Sequence, residues 1–486
     1  MIPLDHASPE PLHRQVYRGM REAILGGRLS SGAQIPSSRW LADYLGVSRT
    51  TVLGAFDQLV AEGFIVGVVG SGSYVAQPFP DRLLQVRRSA LTSDVRVARP
   101  VRLADRIVRL GEELKGPRHL AGPISVFRIG LPPVDAFPLS VWNRLAGARH
   151  RKLETNQLRH GPPRGSEALR QAIVTHHAVA RGVRCSPDQV IVLSSAQEAM
   201  DLACRVVLNP GEAVWFEEPG YSGARAALIA AGAHIVPVPV DGEGLVVERG
   251  IATAPDARLV YVTPSHQFPT GVTMSLERRL ALLDWAARSD AWILEDDYDS
   301  EYRYAGCPLT ALQGLDVGGR VLYIGTFNKT VFPALRLAYL VLPEALVDPA
   351  LALRRRGAQH APTIEQLILT DFLEGGHYVR HIRAMRALCR ERRDALISAM
   401  EREAAGRLSV SRPDTGLHAV AWLPPGVDDQ EASRVAAEHG VEAVALSCYC
   451  VTRPERGGLV LGYGGIRTPE IIGGVQKLVA ALRPLI

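Results

Sequence analysis

Residues 323–343 read YIGTFNKTVFPALRLAYLVLP, two apolar runs of strand length with Lys329 in the connection between them and Arg336 just before the second. The lysine stands out because the chain hardly uses lysine. Of its 55 basic residues only Lys115, Lys152, Lys329 and Lys477 are lysine, and the others are arginine. A scarce primary amine where an apolar strand ends asks for a chemical reason, and the rest of the chain supplies the context.

From about residue 121 onward, helical patterns alternate with short apolar runs: QVIVLSS, AVWFEEP, HIVPVPV, RLVYVTP, AWILEDD, RVLYIGT and LAYLVLP. Near-continuous apolar strands separated by helices predict a parallel or mixed α/β sheet buried on both faces. Such sheets bind ligands at the carboxyl ends of their strands, and the polar residues cluster there. After VIVLSS a helix opens at Ala196-Gln197, so the backbone N–H groups near Ser195, Ala196 and Gln197 suit an anion such as a phosphate. After AVWFEEP comes Tyr221, an aromatic at a strand exit. After AWIL come Glu295, Asp296, Asp297, Tyr298 and Asp299, a dense acidic cluster that needs a cation to offset it. After VLYIG come Thr326, Lys329 and Arg336.

Each residue taken singly has a structural explanation. Together they call for a ligand with an aromatic ring, a protonated ring nitrogen, an aldehyde and a phosphate, and pyridoxal 5'-phosphate has all four. On these motifs residues 121–486 resemble the fold-type I aminotransferases. The resemblance implies Lys329 as the Schiff-base lysine, Arg336 and Thr326 as phosphate ligands with the Ser195-Ala196-Gln197 turn, and Tyr221 as the ring-stacking aromatic. For the ring nitrogen, Asp296 is favoured with Tyr298 on the ring hydroxyl, since alternate strand residues share a side, and Asp297 is the fallback. Three positions depart from the enzyme pattern. Phe268 precedes Pro269-Thr270-Gly271 where the enzymes carry asparagine, His160 stands where they carry a cross-subunit tyrosine, and Val460 where a carboxylate-binding arginine is common.

The N-terminal part is of another kind. Leu12, Val16, Met20 and Ile24 recur at helical spacing and predict an amphipathic helix ending at Gly26-Gly27. In SRWLADYLGVSRTTVLGAFDQLVAEGFI a helix from Ser38 to about Tyr44 stops at Leu45-Gly46-Val47, and Ser48 caps a second that runs to about Glu62, the helix-turn-helix pattern. FIVGVVGSGSYVA then suits a two-stranded wing. Ser48, Arg49, Thr50 and Thr51 in the first turn of the second helix, with Arg39 on the helix before, are the candidate DNA contacts. Residues 10–76 resemble the winged-helix domain of the GntR family of transcription regulators, except that Val68 and Val69 occupy the wing positions where an arginine is common.

Between the two parts, residues 78–120 carry nine arginines and Lys115 against five acids, which matches the whole net charge of +5 and reads as a basic linker. The organisation expected is a winged helix-turn-helix over 1–77, the linker over 78–120, and an aminotransferase-like α/β domain over 121–486. No apolar run reaches the roughly 18 residues of a membrane span, and six cysteines without a CxxC pair suit free thiols in a reducing cytoplasm. A helix-turn-helix in front of an aminotransferase-like domain, with TPSHQFPTG and EDDYDSEYRY, resembles the MocR subfamily of GntR regulators. That resemblance implies a cytoplasmic, head-to-tail homodimer that binds a double-stranded DNA operator and senses a small amine, an amino acid or pyridoxal phosphate itself, rather than an enzyme. The competing expectations are an active aminotransferase carrying a DNA-binding module, and a regulator whose C-terminal part is a cofactor-free scaffold.

Overall fold

The computed structural model describes residues 3–68, 70–76, 102–113, 125–304, 306 and 309–486. The chain divides into two compact units, Met1–Arg102 and Leu103–Ile486. Most of the expected linker, residues 78–101 and 114–120, lies outside the described residues, as do Val69 of the wing and Cys307.

The first unit contains α1 (Leu12–Leu25), β1 (Gln34–Ile35), α2 (Ser38–Leu45), α3 (Arg49–Ala61), β2 (Ile65–Val68) and β3 (Gly72–Val75). Its core is the apolar stripe of α1, Val16, Met20 and Ile24, packed on Leu41 of α2 and on Val52, Phe56 and Leu59 of α3. The turn between α2 and α3 is set by two local devices. Gly46 takes the left-handed conformation (φ 65°) that ends α2, and the Ser48 hydroxyl accepts the Thr51 N–H at 3.1 Å to start α3. β1 was not expected from the sequence. It pairs with β3, giving the sheet order β1-β3-β2.

In the second unit, α4 (Asp105–Glu113), α5 (Leu139–Arg151) and α6 (Glu167–Arg181) precede the main sheet. That sheet is built from β4 (Val190–Leu193), β5 (Ala213–Glu218), β6 (His234–Asp241), β7 (Gly244–Leu245), β8 (Leu259–Val262), β9 (Trp292–Asp297), β10 (Val321–Thr326) and β11 (Ala338–Val341). The intervening helices are α7 (Ala196–Val207), α8 (Ser222–Ala231), α9 (Val247–Thr253), α10 (Leu276–Arg288) and α11 (Leu312–Leu315). Its order is β4-β11-β10-β9-β8-β5-β6-β7; β11 runs against both neighbours, β7 runs against β6, and the other pairs are parallel. All seven expected strands are present. They read as unbroken apolar runs because both faces are covered: Ile191 and Leu193 pack on one side with α7 and α8, while Val190 and Val192 pack on the other with α6.

After β11 come α12 (Glu344–Arg355), α13 (Thr363–Glu374) and α14 (His377–Ala404). A second, antiparallel sheet follows, β12 (Ser409–Val410), β13 (His418–Trp422), β14 (Val444–Ala445) and β15 (Gly458–Gly462), with α15 (Asp429–Glu438) and the closing α16 (Thr468–Leu482). Among the described residues no helix is long and apolar enough to cross a membrane.

Candidate functional site

Strand register decides which loops meet. Leu193 of β4 pairs with Ala338 of β11, and Ala338 pairs with Thr326 of β10. One row of the sheet therefore ends in three neighbouring segments: Ser195 with the start of α7, Arg336 just ahead of β11, and Thr326 with the turn to Lys329. The Ser195 hydroxyl caps α7 by accepting the Glu198 N–H at 3.1 Å. The amides of Ala196 and Gln197, in the first helical turn, have no intrahelical carbonyl to bond. Thr326 is buried, and its Oγ1 accepts the Asn328 N–H at 3.2 Å. Arg336 is exposed and has φ 54° in the left-handed region that side chains seldom adopt; its N–H donates to the Pro333 carbonyl, but its guanidinium makes no hydrogen bond or ion pair among the described residues. An uncommitted guanidinium, a hydroxyl and a helix N-terminus on one sheet edge form an anion-binding arrangement.

The neighbouring strand end carries the acids, and alternation sends them to opposite faces. The Asp297 Oδ2 is held by Arg181 Nε at 2.9 Å and by the Tyr323 hydroxyl at 2.7 Å, and Arg181 also donates to Ser265 Oγ at 2.7 Å. Asp296 turns the other way: Oδ2 accepts the Tyr261 hydroxyl at 2.8 Å, while Oδ1 is buried without a partner. Burial is the main reason its carboxyl is pushed up to about 7, and the Tyr261 bond and the charge of Lys329 oppose the rise. A carboxylate anchored by one oxygen and bare at the other is suited to a cationic N–H.

Lys329 is half-buried, and its Nζ donates to the Gly130 carbonyl at 2.6 Å. Burial lowers its ammonium, opposed by the charges of Asp299 and Asp296. A lowered amine is closer to the neutral, nucleophilic form. Tyr221 is half-buried and packs edge-on against Phe268, with ring centroids 5.6 Å apart. The Tyr298 hydroxyl donates to the His266 carbonyl at 2.9 Å. Of the departures from the enzyme pattern, Phe268 and Val460 lie in one apolar cluster, against which Tyr221 and Tyr298 pack, and His160 is exposed beside His360 with centroids 5.9 Å apart. Deeper in, Glu217 accepts from Thr263 Oγ1 at 2.6 Å and Gln267 Nε2 at 3.1 Å, which ties β5 to the turn at 266–271.

Sequence reasoning did not find Gly130, Arg181 or Tyr261. Only Tyr261 left a signal, since a tyrosine inside a fully buried strand needs a partner for its hydroxyl.

The raised carboxyl of Asp296 gives a prediction with a definite sign. Its ordinary value is 3.8, so between about pH 4 and 7 the unfolded chain is ionised while the fold keeps the proton. Wild-type stability therefore falls across that window relative to Asp296→Asn, which has no proton to lose. In ligand-free protein the variant should gain on wild type by up to about 1.4 kcal/mol per pH unit from pH 5 to 7, measured by urea denaturation at each pH. A constant difference would show that Asp296 does not titrate there.

In the first unit, Arg39, Ser48, Arg49 and Thr50 are exposed, and Thr51 is half-buried. Arg49 Nε lies 3.4 Å from Ser38 Oγ, which brings the starts of α2 and α3 together as one polar surface. Val68 on the wing is exposed.

The comparisons with known proteins divide the chain as its chemistry does. The family model for bacterial regulatory proteins of the gntR family matches residues 12–75, and that for aminotransferases of class I and II matches residues 140–460. The chain is 38% identical to the probable rhizopine catabolism regulatory protein MocR of Rhizobium meliloti, over 100% of this chain and 96% of that one. It is 34% identical to the HTH-type transcriptional regulator TauR of Rhodobacter capsulatus, over 97% and 96%. Among solved structures it is similar to Pyrococcus horikoshii kynurenine aminotransferase, with TM-score 0.70 and 26% identity over 83% of this chain and 98% of that one.

Proposed function

The chain belongs to the MocR subfamily of the GntR-family transcription regulators, and from that premise we propose which residues do its work and what it senses. It is a DNA-binding regulator, and its aminotransferase class I and II domain implies pyridoxal 5'-phosphate. When bound, that cofactor supplies an aldehyde able to condense with a primary amine. The observation that carries the residue assignment is that Asp296 and Asp297 each have a bare, buried Oδ1, but among the described residues only Asp296 has no cation on its other oxygen, which accepts the Tyr261 hydroxyl. Asp296, rather than Asp297, faces the ring nitrogen, because Asp297 is already committed to Arg181. Lys329 provides the amine that anchors the cofactor, and Tyr221 and Tyr298 border its ring. Thr326, Arg336 and the Ser195-Ala196-Gln197 turn bind its phosphate.

The sensed ligand is a small amine, an amino acid or the cofactor itself, acting on a head-to-tail homodimer. An effector moves such a switch only if it favours one of two arrangements. Sensing is favoured over turnover because Val460 and Phe268 make apolar a wall where the aminotransferase pattern has an arginine and an asparagine. A screen of amines against cofactor-loaded protein tests this: the effector changes the visible absorbance and the affinity for promoter DNA together. Steady conversion of an amino acid to a keto acid would instead make the protein an aminotransferase.

Arg49 supplies a charged contact at the start of α3. Arg49→Ala should weaken binding to the native promoter fragment roughly tenfold at fixed salt, read by fluorescence anisotropy. Unchanged affinity would remove Arg49 from the interface.

A further inference from the structure

The turn after β8 places the His266 ring in a slot left open by two glycines. A Cβ on Gly416 would lie 1.9 Å from the ring Cε1, and one on Gly271 would lie 3.3 Å from Nε2. The Tyr463 hydroxyl donates to the Gly416 carbonyl at 2.9 Å, which pins the back of the slot. His266 and Asp299 are each 1% exposed, and His266 Nδ1 lies 3.1 and 3.0 Å from the two carboxylate oxygens. Among the described residues Asp299 has no arginine or lysine within ion-pair distance. The imidazole is its partner.

That pairing fixes a proton. Nδ1 carries at most one hydrogen, and facing a carboxylate it donates it. The Tyr298 hydroxyl, 3.0 Å from Nδ1, therefore cannot donate to that nitrogen, and its hydrogen goes to the His266 carbonyl at 2.9 Å. The His266 backbone thus holds the Tyr298 hydroxyl beside the ring that Asp299 orients. Nε2, buried and without a partner, lies on the ring that packs 4.8 Å from His418. Asp299 is also the carboxylate that acts most strongly on the Lys329 ammonium.

We propose that Asp299 and His266 are positioning residues of the lysine-centred site: the carboxylate orients the imidazole, and the imidazole's segment orients the Tyr298 hydroxyl. The proposal rests on the cofactor reading above. It assigns to a histidine and an acid a task that has no asparagine to perform it in this chain, since that position is Phe268.

The test uses full-length wild type, His266→Phe, His266→Asn and Asp299→Asn, each with pyridoxal phosphate. Phenylalanine keeps a ring in the slot without its nitrogens, and asparagine restores a donor near Nδ1. The readouts are cofactor fixed by borohydride, the dissociation constant, and the pH midpoint of the bound cofactor's visible absorbance. The groups facing this region are Asp299, Tyr298 and His418 around the imidazole, Tyr304 and Tyr463 behind Gly416, and Asp296 and Lys329 on the cofactor side. His266→Phe and Asp299→Asn should still fix cofactor, but bind it roughly tenfold more weakly, the worth of one hydrogen bond to a charged group. The midpoint should move by about one pH unit, with His266→Asn falling between them and wild type. Unchanged affinity and midpoint in all three variants would overturn the proposal. A stoichiometric metal ion in wild type that His266→Phe loses would overturn it in favour of a metal site formed with His418. Wild type that fixes no cofactor would fail earlier, at the cofactor reading. Should His266→Phe not fold, Asp299→Asn decides.

Discussion

Lys329→Ala should abolish borohydride-fixed cofactor completely while leaving the fold in place. The fold is expected to survive because among the described residues the side chain makes a single hydrogen bond, to the Gly130 carbonyl at 2.6 Å, and the backbone carbonyl of residue 329, which accepts the Tyr302 hydroxyl at 2.7 Å, is unaffected. Losing one such bond costs on the order of 1 kcal/mol, against the 5–15 kcal/mol that typically holds a domain together. Alanine also relieves burial of an ammonium whose loss of charge the carboxylates of Asp299 and Asp296 oppose. Covalent fixation behaves differently, since the other three lysines lie outside this turn, at 115, 152 and 477. Reduction followed by peptide mass analysis reads the outcome directly. Cofactor still fixed in the variant would mean another amine is the anchor, and would dissolve the role assigned here to the scarce lysine. If the amine-sensing reading holds, the same variant should still bind promoter DNA through its first unit but no longer respond to the effector.

The parts of the molecule legible in the sequence are those whose cause is local or periodic. Ser48 caps α3 and Gly46 ends α2 through interactions within a few residues, so the helix-turn-helix can be read from the chain. The main-sheet strands are legible because burial on both faces leaves no polar residue inside runs such as VIVL and VLYIG. What escapes is the second sheet, its five-residue strands β13 and β15 included, and the short strands held by distant partners. β12 and β14 are two residues each and exist through pairing with β13 and β15, and β1 exists through β3. The same division runs through the site. Alternation separates Asp296 from Asp297, but what awaits each on its own face comes from far along the chain: Tyr261 for one, Arg181 for the other. Two adjacent acids look alike in sequence because their difference lies in those partners.

That difference makes Arg181 an exacting structural position in the second unit. It closes α6, its carbonyl accepts the Ala311 N–H at 2.8 Å, and its guanidinium meets Asp297 with side chains only 4% and 1% exposed. Removing the cation strands a buried carboxylate, and breaking a buried pair in this way costs about 3–5 kcal/mol. Arg181→Met should therefore lower the stability of this unit by about that amount in urea denaturation. The fluorescence of Trp215 and Trp285, stacked at 3.7 Å in the same unit, provides the signal. Removing both charges tests the cause. Arg181→Met with Asp297→Leu leaves an apolar pair and should recover much of the loss, whereas a defect of packing alone would add further destabilisation. The functional consequence follows from one peptide bond: Asp297 and Asp296 share β9, so a strand end loosened on the Arg181 face also releases the carboxylate on the other. Cofactor affinity should drop in Arg181→Met and return in the double variant, although neither changed side chain faces the same side as Asp296.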